Sequence, residues 1–302
     1  MGQILLRAGY FVAIICLGYL LKRAKVFRQE DFGVLSKVVL KVTFPAALIS
    51  SFAGRQIEPA MFSLALLAIV CGVVYMTIAA VMNLRASREQ RAFDILNLPG
   101  YNIGIFTMPF VQSFLSPMGI IAAGIFDMGN AVICLGGSFG IASSVKNGGK
   151  FSVKRILRAL SRSVPFMTYV VMLLLNLTNI TLPAAVMDFV GIIGSANPFL
   201  AMFMIGVGFS LGGSPGQTKK ILRLLALRYG TAIIIALLFW FVLPFPLEVR
   251  QALVILAFSP IGSAVPPFTA ELEGDVGLSS AINSVAILVS IAINVVLLSV
   301  ML

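Results

Sequence analysis

Long stretches of apolar residues, separated by short polar connectors, run through the whole chain. A helix of about 20 apolar residues crosses the roughly 30 Å hydrocarbon core of a bilayer. The pattern predicts ten membrane-spanning helices, at residues 3–21, 33–53, 60–83, 93–114, 118–144, 164–181, 186–212, 221–243, 250–270 and 278–301. The predicted fold class is therefore an all-α integral membrane protein.

The longest polar connector, residues 146–163, divides these ten spans into two sets of five. It is too short to form a domain of its own. Because each half holds an odd number of spans, the second half enters the membrane from the side opposite to the first. We therefore predict two inverted five-helix repeats, residues 1–145 and 164–302, joined by this basic connector.

Positive charge is concentrated in alternate connectors. Seventeen of the 22 Lys and Arg residues follow spans one, three, five and seven: Lys22, Arg23, Lys25, Arg28, Arg85, Arg88, Arg91, Lys146, Lys150, Lys154, Arg155, Arg158, Arg162, Lys219, Lys220, Arg223 and Arg228. The positive-inside rule places these connectors in the cytoplasm and both termini outside the cell (inner) membrane. Anionic lipid head groups then account for the net charge of +11, and no nucleic-acid partner is expected. The ninth connector, residues 271–275, departs from the pattern because it is acidic.

The composition excludes several kinds of active site. The chain is 59% hydrophobic and contains no histidine. Ser-His-Asp triads and histidine-based metal sites are therefore excluded. We expect no enzymatic activity, no metal and no cofactor.

A short phrase occurs once in each half. The pattern Ile-Gly, four residues, Pro-Phe is found at residues 103–110 in span four and again at residues 261–268 in span nine. Gly and Pro weaken a helix, and broken backbone inside a bilayer is tolerated only where it is buried in protein or lines a cavity. We predict that each span consists of two half-helices joined by an extended stretch. Paired breaks of this kind indicate the central site of a transporter.

The two breaks predict a site for an anion such as a carboxylate, because half-helix N-termini carry partial positive charge. Asn102 is the main candidate for substrate binding, since its amide offers both a donor and an acceptor; capping of the broken helix is its alternative role. Pro45 in span two and Asn197 in span seven are either further substrate contacts or ordinary kinks. The other predicted substrate-site residues are Gly104, Thr107, Pro109, Pro260, Gly262, Ser263 and Pro267.

Asp127 is the carboxylate that the pattern places clearly inside a span, about 15 Å from the start of span five. A charge there costs at least ~2.5–3.5 kcal/mol and indicates a function. Proton binding, pairing with a cation and a neutral hydrogen-bonded state are the three roles open to it. Asn130 lies one turn further on the same face and is predicted to share a hydrogen bond with Asp127. Asn283 is the neutral counterpart in span ten.

Three motifs resemble those of one family. Residues 102–109 read Asn-Ile-Gly-Ile-Phe-Thr-Met-Pro, residues 197–199 read Asn-Pro-Phe ahead of Ile-Gly-Val-Gly at 205–208, and residues 260–262 read Pro-Ile-Gly. Together with the two-times-five plan, they resemble the auxin efflux carrier family, the PIN-like permeases, across essentially the whole chain. Thr107 stands where that family usually has a second glycine. The short central connector resembles bacterial members, whose substrates include dicarboxylates such as malate and malonate.

The resemblance implies secondary transport on a fold akin to sodium/proton antiporters and bile-acid symporters. We therefore predict a permease for a mono- or dicarboxylate that works by alternating access around the two breaks. Spans three to five and eight to ten are expected to move against the rest. A passive channel and a sodium-coupled symporter of the bile-acid type stay open as alternatives. The expected partners are the organic anion, protons, the lipid bilayer and a second copy of the chain in a homodimer.

Overall fold

The computed structural model describes residues 2–55, 57–148, 151–209 and 215–302, and of residues 3, 4 and 215 the backbone alone. Every regular element in these ranges is helical. The first half contains α1 (Gly2–Arg23), α2 (Asp31–Val38), α3 (Phe44–Phe52), α4 (Ser63–Met82), α5 (Arg88–Asn97), α6 (Met108–Phe114), α7 (Pro117–Val132) and α8 (Ser138–Asn147). The second half contains α9 (Val153–Arg162), α10 (Val164–Leu177), α11 (Ala184–Ser195), α12 (Asn197–Gly208), α13 (Thr218–Phe241), α14 (Leu247–Ala257), α15 (Val265–Glu271) and α16 (Val276–Met301). Short 3₁₀ turns precede α4 and α13 at Pro59–Phe62 and Pro215–Gln217.

Seven helical stretches in the described ranges are long and apolar enough to cross a membrane, and α9 with α10 makes an eighth if the pair, bent by 80°, is one span. The predicted class, an all-α membrane protein, is thereby confirmed. The total of ten stays a prediction, because it also counts two interrupted segments, residues 88–114 and 247–271. Lys150 and the end of the predicted seventh span, residues 210–212, lie outside the described residues.

Both predicted helix breaks are present. Helix α5 ends at Asn97 and the helix resumes at Ile103, while α14 ends at Ala257 and α15 begins at Val265. Within the first break, Gly100 has a φ of +80°. This left-handed conformation favours glycine, because a side chain would clash with the backbone.

Three five-residue π-helical turns continue the helices of the first half. They are Val39–Thr43 between α2 and α3, Ile103–Thr107 before α6, and Ile133–Gly137 between α7 and α8. Each turn inserts one residue more than an α-helical turn holds, which is typical of functional regions. Proline follows two of these turns, and it cannot donate the hydrogen bond that an α-helix would need there.

Small residues bring the helices close together. Gly18 of α1 and Gly206 of α12 face each other's backbones, and a side chain at either position would overlap a carbonyl oxygen of the facing helix. Gly129 of α7 lies equally close to the backbone of α4. Small residues are enriched at helix interfaces in membranes, because they let the backbones approach closely. The Gly-x-Gly pattern at 206–208 predicts such close packing.

Hydrogen bonds join the connectors that carry positive charge. Lys22 in the first connector donates to the carbonyl of Phe209 in the seventh. Arg223, at the start of α13, donates to the side chain of Asn83 in the third connector at 2.9 Å. A surface pocket of about 260 Å³ is lined by residues from connectors three, five, seven and nine. These five connectors therefore lie at one end of the molecule, which we call the basic end.

The acidic ninth connector also belongs to this end. One guanidinium nitrogen of Arg155 in α9, Nη2, forms an ion pair with both carboxylate oxygens of Glu271, at 2.7 and 2.8 Å. The Lys146 ammonium donates to the carbonyl of Leu272 at 2.5 Å. One acid of this connector therefore pairs with a cation of the fifth connector, and a second cation binds its backbone.

Candidate functional site

The two helix breaks cross each other inside the protein. The backbone N–H of Asn102 donates to the carbonyl of Pro260 at 2.9 Å. Beside this bond, the hydroxyls of Thr107 and Ser259 lie 2.5 Å apart and are both fully buried. The carbonyl of Asn102 accepts the N–H of Thr107 at 3.2 Å, which closes the π-helical turn. One backbone and one side-chain hydrogen bond therefore fasten the two halves together at the crossing.

A buried arginine binds the carbonyl groups that both breaks leave free. Arg228 of α13 is 1% exposed. Its guanidinium donates to the carbonyls of Leu98 at 2.5 Å and Gly100 at 2.8 Å in the first break. It also donates to the carbonyls of Ser259 at 2.7 Å and Pro260 at 3.1 Å in the second. Because the C-terminal ends of half-helices carry partial negative charge, this cation compensates both ends at once.

The assignment of Arg228 to a cytoplasmic connector is therefore wrong. Helix α13 begins at Thr218 and continues through Arg228 into the protein interior. The rings of Tyr75 and Tyr101 lie 5.5 and 5.4 Å from the guanidinium carbon, which favours a cation there. Arg228 is an interior residue of the crossing and does not report on membrane topology.

A cavity of about 370 Å³ adjoins the crossing on the side of the basic end. Its walls come from both breaks, from α7, from the π-helical turn at Val39–Thr43 and from the junction of α9 with α10. Six of the residues predicted from sequence line it. Four were predicted as substrate-site residues at the breaks and two as coupling or support residues on α7: Asn102, Gly104, Gly262, Ser263, Asp127 and Asn130. Residues far apart in the chain, from both halves, are thus brought to one cavity.

The side chain of Asn102 faces this cavity without a protein partner. It is 7% exposed, and no residue in the described ranges forms a hydrogen bond with its amide. The alternative role of a helix cap is therefore not adopted. The backbone N–H groups of residues 103–105 follow in the first turn, where a helix leaves them without an internal acceptor. The amide of Asn102 is therefore available as a hydrogen-bond donor at the cavity.

Asp127 and Asn130 are held firmly at the cavity wall. The amide of Asn130 donates to one oxygen of Asp127 at 3.0 Å, as predicted, and the hydroxyl of Tyr169 donates to the other at 3.1 Å. The same amide pairs in both directions with the backbone of Tyr101, at 2.8 and 2.9 Å. Asn130 therefore links the carboxylate to the first break.

The structure places the other predicted residues away from the cavity wall. Thr107 and Pro260 belong to the crossing itself, and Pro267 is exposed. The side-chain oxygen of Asn283 is buried without a partner in the described part of the chain. The complete set is Pro45, Thr107, Pro109, Asn197, Pro260, Pro267 and Asn283.

Asn197 has a structural role that can be tested. It is fully buried, accepts a hydrogen bond from the Thr43 hydroxyl at 3.1 Å and donates to Gln112 at 3.1 Å. We expect Asn197→Ala to lower the free energy of unfolding by about 1–3 kcal/mol, because both partners lose their bond in a buried place. Ligand affinity should not change. Thermal unfolding in detergent, beside the exposed-site control Asn147→Ala, measures this; equal stability of the two variants would contradict the structural role.

Two cations that line the cavity are absent from the predicted site residues. Lys41 lies in the π-helical turn of the second span, and Arg162 ends α9 at the mouth of the cavity. With Asp127 as the single acid on the wall, the cavity lining is net positive. A lysine at the ninth position of the predicted span 33–53 is a signal that the sequence does offer.

No protein-family model matches the chain, and no curated protein is significantly similar to it. The resemblance to the auxin efflux carrier family thus depends on the three motifs quoted above.

Cys134 provides a probe of the cavity. It lines the wall, with its sulfur 3.3 Å from the side-chain oxygen of Asn130, whereas Cys71 is buried. In a variant with the exposed Cys16 changed to Ser, we expect a small water-soluble thiol reagent to modify Cys134 faster than Cys71, since water reaches only the cavity. Intact-mass spectrometry follows the reaction, and Cys134→Ser is the control. Equal rates would mean that the cavity is closed to solvent.

Proposed function

We propose that this protein is a secondary transporter of a small organic anion, which binds in the cavity beside the crossing. The observation that carries the proposal is the Asn102 amide, which lines the cavity without a protein partner in the described ranges, at the point where two broken helices meet. An amide in this position has both its donors and its acceptor available to a ligand. A ligand carboxylate would supply the missing acceptor, and the Ser263 hydroxyl lies on the same wall.

The charges around the cavity favour an anion. Lys41 and Arg162 attract a carboxylate toward it, and the first-turn N–H groups after Asn102 add the positive end of a helix dipole. Asp127 on the same wall repels an anion while it is ionised. Binding of the anion therefore favours the protonated form of Asp127, and this linkage would couple transport to protons.

Arg228 argues against a sodium ion at the crossing. Four carbonyls of the two breaks, which are the kind of oxygen ligand that a hard cation takes, already accept hydrogen bonds from its guanidinium. A sodium ion there would have to displace a buried positive charge. We therefore favour proton coupling over the sodium-coupled alternative.

The proposed topology has ten spans in two inverted repeats. The positive-inside rule places the basic end in the cytoplasm and both termini outside. The cavity then opens toward the cytoplasm in this conformation. Alternating access would require the elements around the crossing to move against α1, α2, α3, α10, α11 and α12, in agreement with the resemblance to the auxin efflux carrier family.

Uptake into proteoliposomes tests the proposal. The purified protein is reconstituted and supplied with labelled mono- and dicarboxylates, with and without an inward proton gradient. We expect saturable uptake that increases with the gradient, together with counterflow by unlabelled substrate. Flux without saturation or counterflow would indicate a channel, and absence of uptake for the whole panel would contradict an organic-anion carrier.

Asp127→Asn tests the coupling. The asparagine oxygen can still accept the hydrogen bond of Asn130, and its NH2 group can donate to the Tyr169 hydroxyl, which is able to accept. The fold should therefore be kept. Wild-type uptake should increase as pH falls, because protonation removes the repulsion; above the pKa of the coupling group the rate falls by up to about tenfold per pH unit. The variant should show a flat pH profile. Asp188→Asn, on α11 and away from the cavity, is the matched control and should keep the wild-type profile.

A further inference from the structure

The axis of helix α9 is bent by 80° from the axis of the following helix, α10. The bend is at Ser163, whose backbone is extended and whose hydroxyl accepts the N–H of Phe166 at 3.4 Å as the cap of α10. Pro165 follows in the first turn, where proline is tolerated. Since α10 runs along a membrane-spanning direction, α9 lies close to the plane of the membrane surface at the basic end.

The faces of α9 suit that position. Ile156 and Leu160 are buried against the protein. Lys154, Arg158 and Arg162 follow one another at intervals of four residues, so their exposed side chains form a single basic stripe. No residue in the described ranges pairs with these three cations. Val153 and Leu157 are exposed beside the stripe. An amphipathic helix with a basic edge and an apolar edge is typical of the interface between head groups and acyl chains.

An apolar groove begins at the end of this stripe. It has a volume of about 400 Å³ and lies between α3, α10 and α11. Ser161 and Arg162 line the polar end of the groove. The rest of its lining is almost entirely apolar and continues through Val164, Met167, Val171 and Leu175. From Val164 to Leu175 a helix rises by about 16 Å, which is about half of the hydrocarbon core. The groove therefore has the depth of one leaflet.

We propose that this groove holds an acyl chain of an anionic phospholipid, whose phosphate binds Arg162 and Arg158. The guanidinium group is the side chain best suited to a phosphate, and the apolar walls exclude a free phosphate ion from the rest of the groove. Arg162 also lines the central cavity. A bound lipid phosphate would therefore withdraw one positive charge from the mouth of the cavity. The lipid site does not depend on the transport proposal.

Lipid retention by the purified full-length protein tests this site. The protein is exchanged into detergent with phosphatidylglycerol or with phosphatidylcholine of the same acyl chains, and bound lipid is counted by native mass spectrometry. We expect phosphatidylglycerol to be retained preferentially. Arg162→Gln should lower its affinity about fivefold, the value of one basic residue at an anionic surface, while Arg88→Gln, an exposed cation away from the groove, should leave it unchanged.

A second variant keeps the test independent of Arg162. Val171→Trp fills the groove without changing charge, and it should lower retention of both lipids. Equal retention of the two lipids by the wild type would overturn the proposal. Equal effects of Arg162→Gln and Arg88→Gln on phosphatidylglycerol retention would also overturn it. If Arg162→Gln does not fold, wild-type lipid retention by Val171→Trp would overturn it instead.

Discussion

Replacing Arg228 with Gln is expected to destabilise the protein by about 3–5 kcal/mol and to abolish transport. Four buried carbonyls depend on its guanidinium. Glutamine is shorter, carries two donors in place of five and has no charge, so most of these carbonyls would lose their partners. The partial negative charge of both half-helix ends would also remain uncompensated. Thermal unfolding in detergent and proteoliposome uptake measure the two effects.

Lysine at position 228 separates charge from geometry. Arg228→Lys keeps the cation but replaces a planar fork by a point charge that cannot reach all four carbonyls. We expect stability between those of the wild type and Arg228→Gln. Arg88→Gln, which removes an exposed cation at the basic end, is the control and should unfold at the wild-type temperature. A stable, active Arg228→Gln protein would show that the crossing does not need this cation.

Asn102→Ala is expected to reduce transport by about 10- to 100-fold while the fold is kept. A hydrogen bond to a charged ligand is worth about 1.5–3 kcal/mol, which corresponds to this factor. The fold should tolerate the change, because the bond from Asn102 to Pro260 is made by the backbone N–H and the side chain has no partner in the described part of the protein. Initial uptake rates over a range of substrate concentrations measure the effect.

The control for Asn102 is stability measured on the same samples. Asn102→Ala should unfold at the wild-type temperature and elute as a single species, in contrast to Asn197→Ala, which should lose stability and keep substrate affinity. If Asn102 binds substrate and Asn197 joins helices, the first variant should lose transport but not stability, and the second should lose stability but not substrate affinity. Wild-type transport by Asn102→Ala would remove the observation on which the proposed function rests.

The helix breaks could be predicted from sequence because their cause is local. Proline lacks the N–H that a helix needs and glycine costs entropy, wherever the chain is placed. The hydrogen bond between Asn130 and Asp127 was predictable for the same reason, since three residues along a helix bring side chains together. Both predictions are confirmed. The breaks lie at residues 98–102 and 258–264, and the Asn130 amide donates to Asp127 at 3.0 Å.

The role of Arg228 could not be read from the charge of the connectors, although a signal was present. The residue lies inside the predicted span 221–243 and is followed by an apolar run. An arginine inside a membrane span is costly and therefore indicates a buried partner. Which partner it has depends on the crossing of two segments more than 100 residues apart, and no local pattern encodes that contact.

Which side chains face the cavity was likewise beyond the sequence. Gly104 and Thr107 belong to one motif, yet Gly104 lines the cavity and Thr107 is buried against Ser259. The direction of each side chain follows from the π-helical turn at Ile103–Thr107, which changes the phase of the helix by one residue. Proline and glycine predict that a helix is interrupted, but not by what angle the side chains after the interruption are rotated about the helix axis.

The three π-helical turns make the two halves unequal. All three lie in the first half, and each contributes residues to the cavity wall, whereas no such turn occurs in the described ranges of the second half. Conversion of one of these turns to α-helix would expel a single residue and rotate everything beyond it by about 100°. The first half therefore holds three places where a small change in winding would re-aim side chains toward the cavity.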